Sequence, residues 1–470
     1  MSDTKHSDAS HDESFRDHIS TIDEHGKRAW VYAKKPKGKL YNARTLVSIG
    51  FLIIFFALPW ISINGHPFML LNVIERKFVL LGVAFFPQDF FLFVLAMLTF
   101  VVFIALFTAL FGRIWCGWAC PQTVFMEMVF RKIEYLIEGD MMQQKLLDKR
   151  EWDNDKIIRK VTKHVVFFLL AFIISNTFLQ YIIGVEEWKK IVTDGFGSHV
   201  GGLIAILVFT GVFYGVYARF REQVCIVVCP YGRLQGVLLD PNTVVVGYDY
   251  NRGEPRGKIS KDDEVKHGDC IDCHQCVNVC PTGIDIRNGT QLECVNCTAC
   301  IDACNDIMVK IKKPEGLIRY TSENAIKKGI KFKVTPRIIG YSAILFVLLT
   351  SLITLLAMRS DIETTVLRTP GLMYQKPDAT HISNVYNVQL VNKTFKDIPI
   401  ELKVVEPVGE IKWVGEGITN LEQQGISGGE FFLILPKSAI TKTKTKVKFE
   451  VYSNGKKIDD TETSFLGPNN

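Results

Sequence analysis

Apolar positions along this chain gather into five long runs, near residues 46–63, 89–111, 164–184, 200–217 and 338–358. Each approaches the ~20 residues that a helix needs to cross a bilayer core. The second run, FFLFVLAMLTFVVFIALFTALF, has no polar face to turn toward water, so it reads as lipid-embedded and not as the core helix of a soluble domain. Pro59 and Trp60 interrupt the end of the first run. The pattern predicts a polytopic α-helical membrane protein with about five spans.

From about Lys376 the period changes from helical to alternating. Tyr386, Val388 and Leu390 alternate with Asn387 and Gln389, and Ile400, Leu402 and Val404 repeat the pattern. Val447, Phe449 and Val451 then precede Asn454-Gly455, a strong hairpin turn signal. Six or seven short strands in this stretch predict an all-β sandwich of immunoglobulin type without a disulfide. It holds no cluster of His, Cys or paired carboxylates that would mark a catalytic site, and reads as a binding or scaffolding module.

Charge sets an expected orientation. Lys and Arg crowd the segment before the first run and the connection between the second and third, whereas the loops around Asn72 and Val185 carry few. Because positive charge resists translocation, the amino terminus is expected in the cytoplasm and the C-terminal sandwich in the periplasm, across an inner membrane. The net charge of +6 fits that topology and calls for no nucleic-acid partner. The expected organisation is a disordered cytoplasmic tail over residues 1–40 and four spans over 41–240. A cytoplasmic domain over 241–335, a fifth span over 336–358 and the sandwich over 359–470 follow. A homo-oligomer is compatible with this arrangement.

All 12 cysteines precede the fifth run. Eight of them fall in one segment with the spacing C-x2-C-x2-C-x3-C written twice: Cys270, Cys273, Cys276 and Cys280, then Cys294, Cys297, Cys300 and Cys304. This is the two-cluster bacterial ferredoxin run, in which three closely spaced thiolates wrap one 4Fe-4S cluster and the fourth reaches the neighbouring one. Crossed ligation pairs Cys270, Cys273 and Cys276 with Cys304, and Cys294, Cys297 and Cys300 with Cys280. Pro281 follows Cys280 as the pattern expects, and Asn305 follows Cys304 where it does not. Paired C-x2-C motifs also serve zinc, but two complete repeats favour clusters and electron transfer.

Four cysteines remain, in two C-x3-C-P motifs: Cys116 and Cys120 before Pro121, and Cys225 and Cys229 before Pro230. The spacing places both sulfurs of a pair on one helix face, with the second near a kink or helix end. Arg113, Arg219, Arg221 and Arg233 flank the motifs, and nearby positive charge favours thiolate. Each motif follows two spans, an internal repeat of the kind that brings equivalent sites together. Soft thiolates suit Cu(I), and also a further iron site or zinc; free cysteines packed as small hydrophobes are the plain alternative. His164 and His199 read as boundary residues of spans and not as haem ligands, and His274 as a group that tunes a cluster by hydrogen bonding. No Gly-rich phosphate loop of either standard type is present, so nothing supports nucleotide or flavin binding.

The segments RIWCGWACPQTVFMEMVFRKIEYLIEG, CPYGRLQGVLLD and CIDACNDIMVKIKKPEGLIRY, with the paired ferredoxin motif, resemble the cytochrome c oxidase accessory proteins of the CcoG (FixG, RdxA) family. The likeness runs from about Gly38 to the C-terminal sandwich. It implies a cupric reductase that assists assembly of cbb3-type oxidase, with two 4Fe-4S clusters passing electrons to copper. It further implies Cys116, Cys120, Cys225 and Cys229 as the catalytic copper site, and a copper-exporting P-type ATPase and oxidase assembly factors as partners. Two other functions fit the same motifs: a quinol-oxidising subunit of a periplasmic reductase system, and a non-enzymatic scaffold for oxidase assembly.

Overall fold

The structure is a computed structural model and describes residues 20–22, 25, 27–63, 66–73, 77–80, 82–85, 89–194, 200–258, 267–329, 334–371, 373–440 and 442–468. His199 and the first 19 residues of the expected tail lie outside them.

Among the described residues, five helices are long and apolar enough to cross a membrane: Lys39–Trp60, Phe90–Phe111, Asn154–Ile183, Val200–Phe220 and Pro336–Ala357. No more than 39% of any of their most apolar windows is buried, so these helices turn apolar side chains outward, as lipid contact requires. The first begins earlier than its apolar run, at Lys39, and its regular part closes at Ala57 before a tight turn over Leu58–Trp60. The third begins ten residues before His164, because Asp153 caps it by accepting the Lys156 N–H and a polar first section follows.

The chain forms two compact units, one of residues 1–60 with 96–349 and the other of residues 61–95 with 350–470. In the first unit, the connection between the second and third spans is not a loop. It folds into helices over Ile114–Trp118, Pro121–Thr123, Arg131–Ile137 and Met141–Lys149, with a π-helical turn over Val124–Phe130. Phe130 and Phe167 pack edge-on at 4.9 Å, and Phe130 stacks on Tyr217 at 4.5 Å. Buried ion pairs tie this connection to the third span and to the stretch after the fourth. Arg221 meets Glu134 at 2.5 Å, Lys163 meets Glu138 at 2.8 Å, and Arg131 meets Glu222 at 3.5 Å.

The ferredoxin segment is closed by a two-stranded antiparallel ladder, Val245–Tyr248 with Ile318–Thr321, which ties its two ends together. Between them lie the short helix Gln275–Asn278 and the helix Ala299–Lys310. The expectation of a disordered tail to residue 40 is corrected here, because residues 27–38 form an ordered strap over this segment. Lys34 N–H donates to the Asn278 carbonyl at 2.7 Å, and Ser20 Oγ donates to the Thr282 carbonyl at 2.6 Å. Tyr135 Oη donates to the Ala33 carbonyl at 3.0 Å, and Trp30 lies between the Arg28 and Arg221 guanidiniums, each 4.4 Å from its ring. The strap therefore tethers the ferredoxin segment to the helices that follow the second span.

The second unit is the sandwich. Strands Glu410–Val414, Ile426–Pro436, His381–Asn392 and Ile362–Arg368 form one antiparallel sheet in that order, and Glu401–Glu406, Lys444–Ser453 and Lys456–Leu466 form the other. The alternation read from the sequence points Tyr386, Val388, Leu390, Val447, Phe449 and Val451 into the shared core. The fold starts at Ile362, earlier than the alternation announces. Short strands at Met69–Asn72, Lys77–Leu80 and Val83–Phe85 add a small sheet to this unit, with Val79 buried against Val391.

Candidate functional site: two thiol-lined cavities and a thiol quartet

All twelve thiols are free. Cys270, Cys273, Cys276 and Cys304 line one small cavity, closed by Tyr248, Met308, Leu317 and Ile318. Cys280, Cys294, Cys297 and Cys300 line a second small cavity, and Cys276 borders it too. Among the described residues no three His, Cys, Asp or Glu side chains stand close enough to hold a single metal ion. The thiols are instead spread around the cavity walls, an arrangement suited to a polynuclear group.

Local backbone explains how the loops achieve this. Asp272 and His274 flank Cys273, and Asn296 and Thr298 flank Cys297; all four have left-handed φ between 49° and 65°. Such residues curl a loop and turn main-chain N–H groups toward its concave side. The repeat of the conformation at matched positions is the structural counterpart of the repeated spacing.

Burial pushes the Cys276, Cys294 and Cys304 thiols up to about 12. Arg287 pulls the Cys276 thiol the other way without offsetting that burial, and a cationic iron–sulfur core is the partner that would favour thiolate here. His274 lines the first cavity with its Nδ1 3.0 Å from Arg287, and Arg287 also pairs with Asp285 at 2.6 Å. Asn305, the departure from the motif, accepts the Gly316 N–H at 2.9 Å and holds the turn after its helix.

The C-x3-C-P motifs differ from the single-helix geometry that their spacing predicts. Cys116 lies within Ile114–Trp118, the helix then breaks, and Cys120 takes an extended conformation as the cap of a new helix begun by Pro121. Cys225 sits in the π-helical turn Val224–Val228, and Cys229 caps the helix begun by Pro230. Proline thus starts a helix in both motifs, at a position where its missing N–H costs nothing. The second thiol does stand at a helix end.

The two motifs meet. Cys116, Cys120 and Cys229 lie within electrostatic reach of Cys225, and Arg113 acts on the same group. Cys116 Sγ donates to Gln235 Oε1 at 3.1 Å, and Arg113 Nε donates to the same oxygen at 3.2 Å. Gly232 allows this approach, since a Cβ there would stand 2.7 Å from the Cys225 carbonyl. The expected pull of a flanking arginine toward thiolate is present, from Arg113, but burial outweighs it. Burial pushes Cys116 up to about 11 and Cys225 up to about 12, against the opposing pull of Arg113. Arg221 is occupied by Glu134, and Arg219 and Arg233 are exposed.

Cys116 also packs with residues of the second cavity's wall. It is buried in one cluster with Val279, Val295, Cys297 and Ala299, with Cys300 packed alongside. Gly117 makes the contact possible, because a Cβ there would lie 2.4 Å from the Val295 carbonyl. Trp118 Nε1 donates to Tyr320 Oη at 3.1 Å on the same interface. Sequence reasoning found every thiol but not this docking; the glycine between the two cysteines of the first motif was the available signal.

A family model for 4Fe-4S dicluster domains matches residues 220–323, and one for 4Fe-4S binding domains matches residues 93–139. A third, for the Ig-like fold at the C-terminus of FixG, matches residues 352–468. RdxA of Cereibacter sphaeroides is 32% identical over 397 residues, covering 80% of this chain and 82% of RdxA. The chain belongs to the FixG/RdxA family. RdxB of the same organism is 34% identical over 78% of this chain and 80% of its own. FixG of Rhizobium meliloti is 36% identical over 63% of this chain and 58% of FixG. The solved structure of a FixG-related protein from Vibrio parahaemolyticus covers 23% of this chain and 97% of its own, at 18% identity and a TM-score of 0.20. This FixG/RdxA-family chain is an iron–sulfur electron-transfer protein with membrane-spanning helices.

Proposed function

We propose that this FixG-family protein reduces Cu(II) to Cu(I) at Cys116, Cys120, Cys225 and Cys229, in support of cbb3-type oxidase assembly. The observation that carries the reading is the burial of Cys116 in one cluster with Cys297, which puts a thiol of the quartet in packed contact with the wall of the second cavity. Two 4Fe-4S clusters, held by Cys270, Cys273, Cys276 and Cys304 and by Cys280, Cys294, Cys297 and Cys300, supply one electron each when bound.

Copper is the substrate. Cu(II) takes up one electron from a reduced cluster and leaves as Cu(I), and since no three of the thiols converge on one point, a pair of soft thiolates at a time stabilises the product over the reactant. Arg113 offsets negative charge beside Cys116, while Gln235 orients that thiol. Cys120, Cys225 and Cys229 are partly exposed and give copper its entry, whereas Cys116 is buried on the electron side. The ferredoxin segment then faces the cytoplasm and the sandwich the periplasm, and the product passes to a copper-exporting ATPase and to oxidase assembly factors.

The test is anaerobic Cu(II) reduction by pre-reduced protein, beside a variant with all four quartet cysteines changed to Ser and with iron content measured in both. Loss of reduction at unchanged iron content supports the reading. Equal rates overturn it.

A further inference from the structure

A groove of about 650 Å³ runs along the third span beside the fourth, where the polar first section of Asn154–Ile183 gives way to its apolar part. Val161, Val165, Phe168 and Leu169 form its apolar wall, and Trp152 stands at its polar end. Inside it, Tyr214 Oη and His164 Nδ1 form a 2.8 Å hydrogen bond. The volume falls in the range of small-molecule sites, which combine apolar walls with a few convergent polar groups.

The charge of the groove selects its occupant. Lys160, the cation that lines it, is held by Glu138 at 2.9 Å and Asp148 at 2.6 Å. Lys156, beside Trp152, donates to the Asp148 and Arg150 carbonyls. A phospholipid phosphate needs cations that are not already committed. What the groove offers is a hydrogen-bonded His–Tyr pair, flanked by the Phe168 ring 5.9 Å from Tyr214. That combination fits a flat, uncharged ring with oxygen at its edge and an apolar tail.

Its position is also pertinent. Tyr214 lies three residues before Tyr217, on the same helical stretch, and Tyr217 stacks on Phe130 within electrostatic reach of Cys120 and Cys225. The groove therefore lies about one helical turn from the aromatic stack that reaches the thiol quartet.

We infer that this groove binds the headgroup of a membrane quinol or quinone, with His164 and Tyr214 bonding a ring oxygen and the tail lying along Val165 and Leu169. The ligand belongs to the class of lipid-soluble two-electron, two-proton carriers. This inference concerns a site separate from the quartet and does not depend on copper.

The test uses the full chain in nanodiscs with an azido-benzoquinone carrying a decyl tail, photolysed without copper and mapped by peptide mass spectrometry. Labelling within residues 152–169 or at Tyr214 is expected, displaced by decyl-ubiquinone and not by excess phosphatidylglycerol. His164→Phe and Tyr214→Phe should each weaken displacement about tenfold, the loss of one buried hydrogen bond. Leu169→Trp, which fills the groove from its exposed wall, should block labelling at unchanged iron content. Labelling elsewhere, equal displacement by phospholipid, or indifference to all three substitutions would overturn the inference.

Discussion

Gly117 faces the main-chain oxygen of Val295 so closely that a Cβ on it would stand 2.4 Å away. Neither partner is a flexible side-chain tip, so Gly117→Ala must push the Cys116 helix off the loop that carries Cys294 and Cys297. Overpacking of this kind costs about 1–3 kcal/mol. The variant is expected to lose cluster absorbance at lower temperature than the parent. Gly211→Ala is the control, since nothing lies within 4 Å of a Cβ at that position; it should melt at or above the parent temperature.

Asp302 stands in the helix that carries Cys300 and Cys304, and it caps a different helix altogether. Its carboxylate accepts the Tyr41 N–H at 2.8 Å and the Leu40 N–H at 3.3 Å, at the start of the first span. Helix-cap carboxylates typically contribute about 1 kcal/mol. Asp302→Ala should destabilise the ferredoxin segment by about that amount in denaturant titration, and Asp302→Asn, which keeps an acceptor, by less. Equal losses in the two variants would show that the cap is not the source.

What could be read in advance follows the range of the interaction. The eight ferredoxin thiols declare themselves because their ligand geometry is set within a few residues, and the sandwich strands because side chains alternate locally. The Asp302 cap, the Gly117 contact and the Arg221–Glu134 pair join residues far apart in the chain, so no spacing encodes them. Arg221 reads as one more flanking cation, yet it is 2% exposed with a left-handed φ of 51°. The strands between Met69 and Phe85 also escape notice. Each has at most four residues, too few for an alternation to stand out from a loop.

Glu134 makes the buried ion network acid-sensitive. Burial alone would raise its carboxyl, but the Arg221 guanidinium, with Lys163 and Arg131, holds it down at about 2. A carboxyl lowered from its ordinary value near 4.5 contributes stability above that value, and the contribution is lost as pH falls from about 4.5 toward 2. Thermal unfolding measured between pH 6 and pH 3 should therefore decline below about 4.5. Glu134→Gln should flatten that decline. It should also lower stability at neutral pH by about 3–5 kcal/mol, because Arg221 and Lys163 remain buried without this partner. A parent-like pH profile in the variant would assign the acid sensitivity to other carboxylates.

The crossed arrangement of thiols is separable from a simple sequential one by paired substitution. Cys304 shares its cavity with Cys270, Cys273 and Cys276, whereas Cys280 shares the other with Cys294, Cys297 and Cys300. Cys270→Ala combined with Cys304→Ala strikes one cavity twice, so about half of the iron should remain, with one reduced-cluster signal in electron paramagnetic resonance. Cys280→Ala combined with Cys304→Ala strikes both, and should remove nearly all of it. Sequential ligation reverses the first result, because Cys270 and Cys304 would then belong to different clusters. Effects within one ligand set are non-additive while those in separate sets add, so the pair of double variants reads the partition directly. Retention of half the iron after Cys270→Ala with Cys304→Ala, and its loss after Cys280→Ala with Cys304→Ala, is the outcome that the cavity walls require.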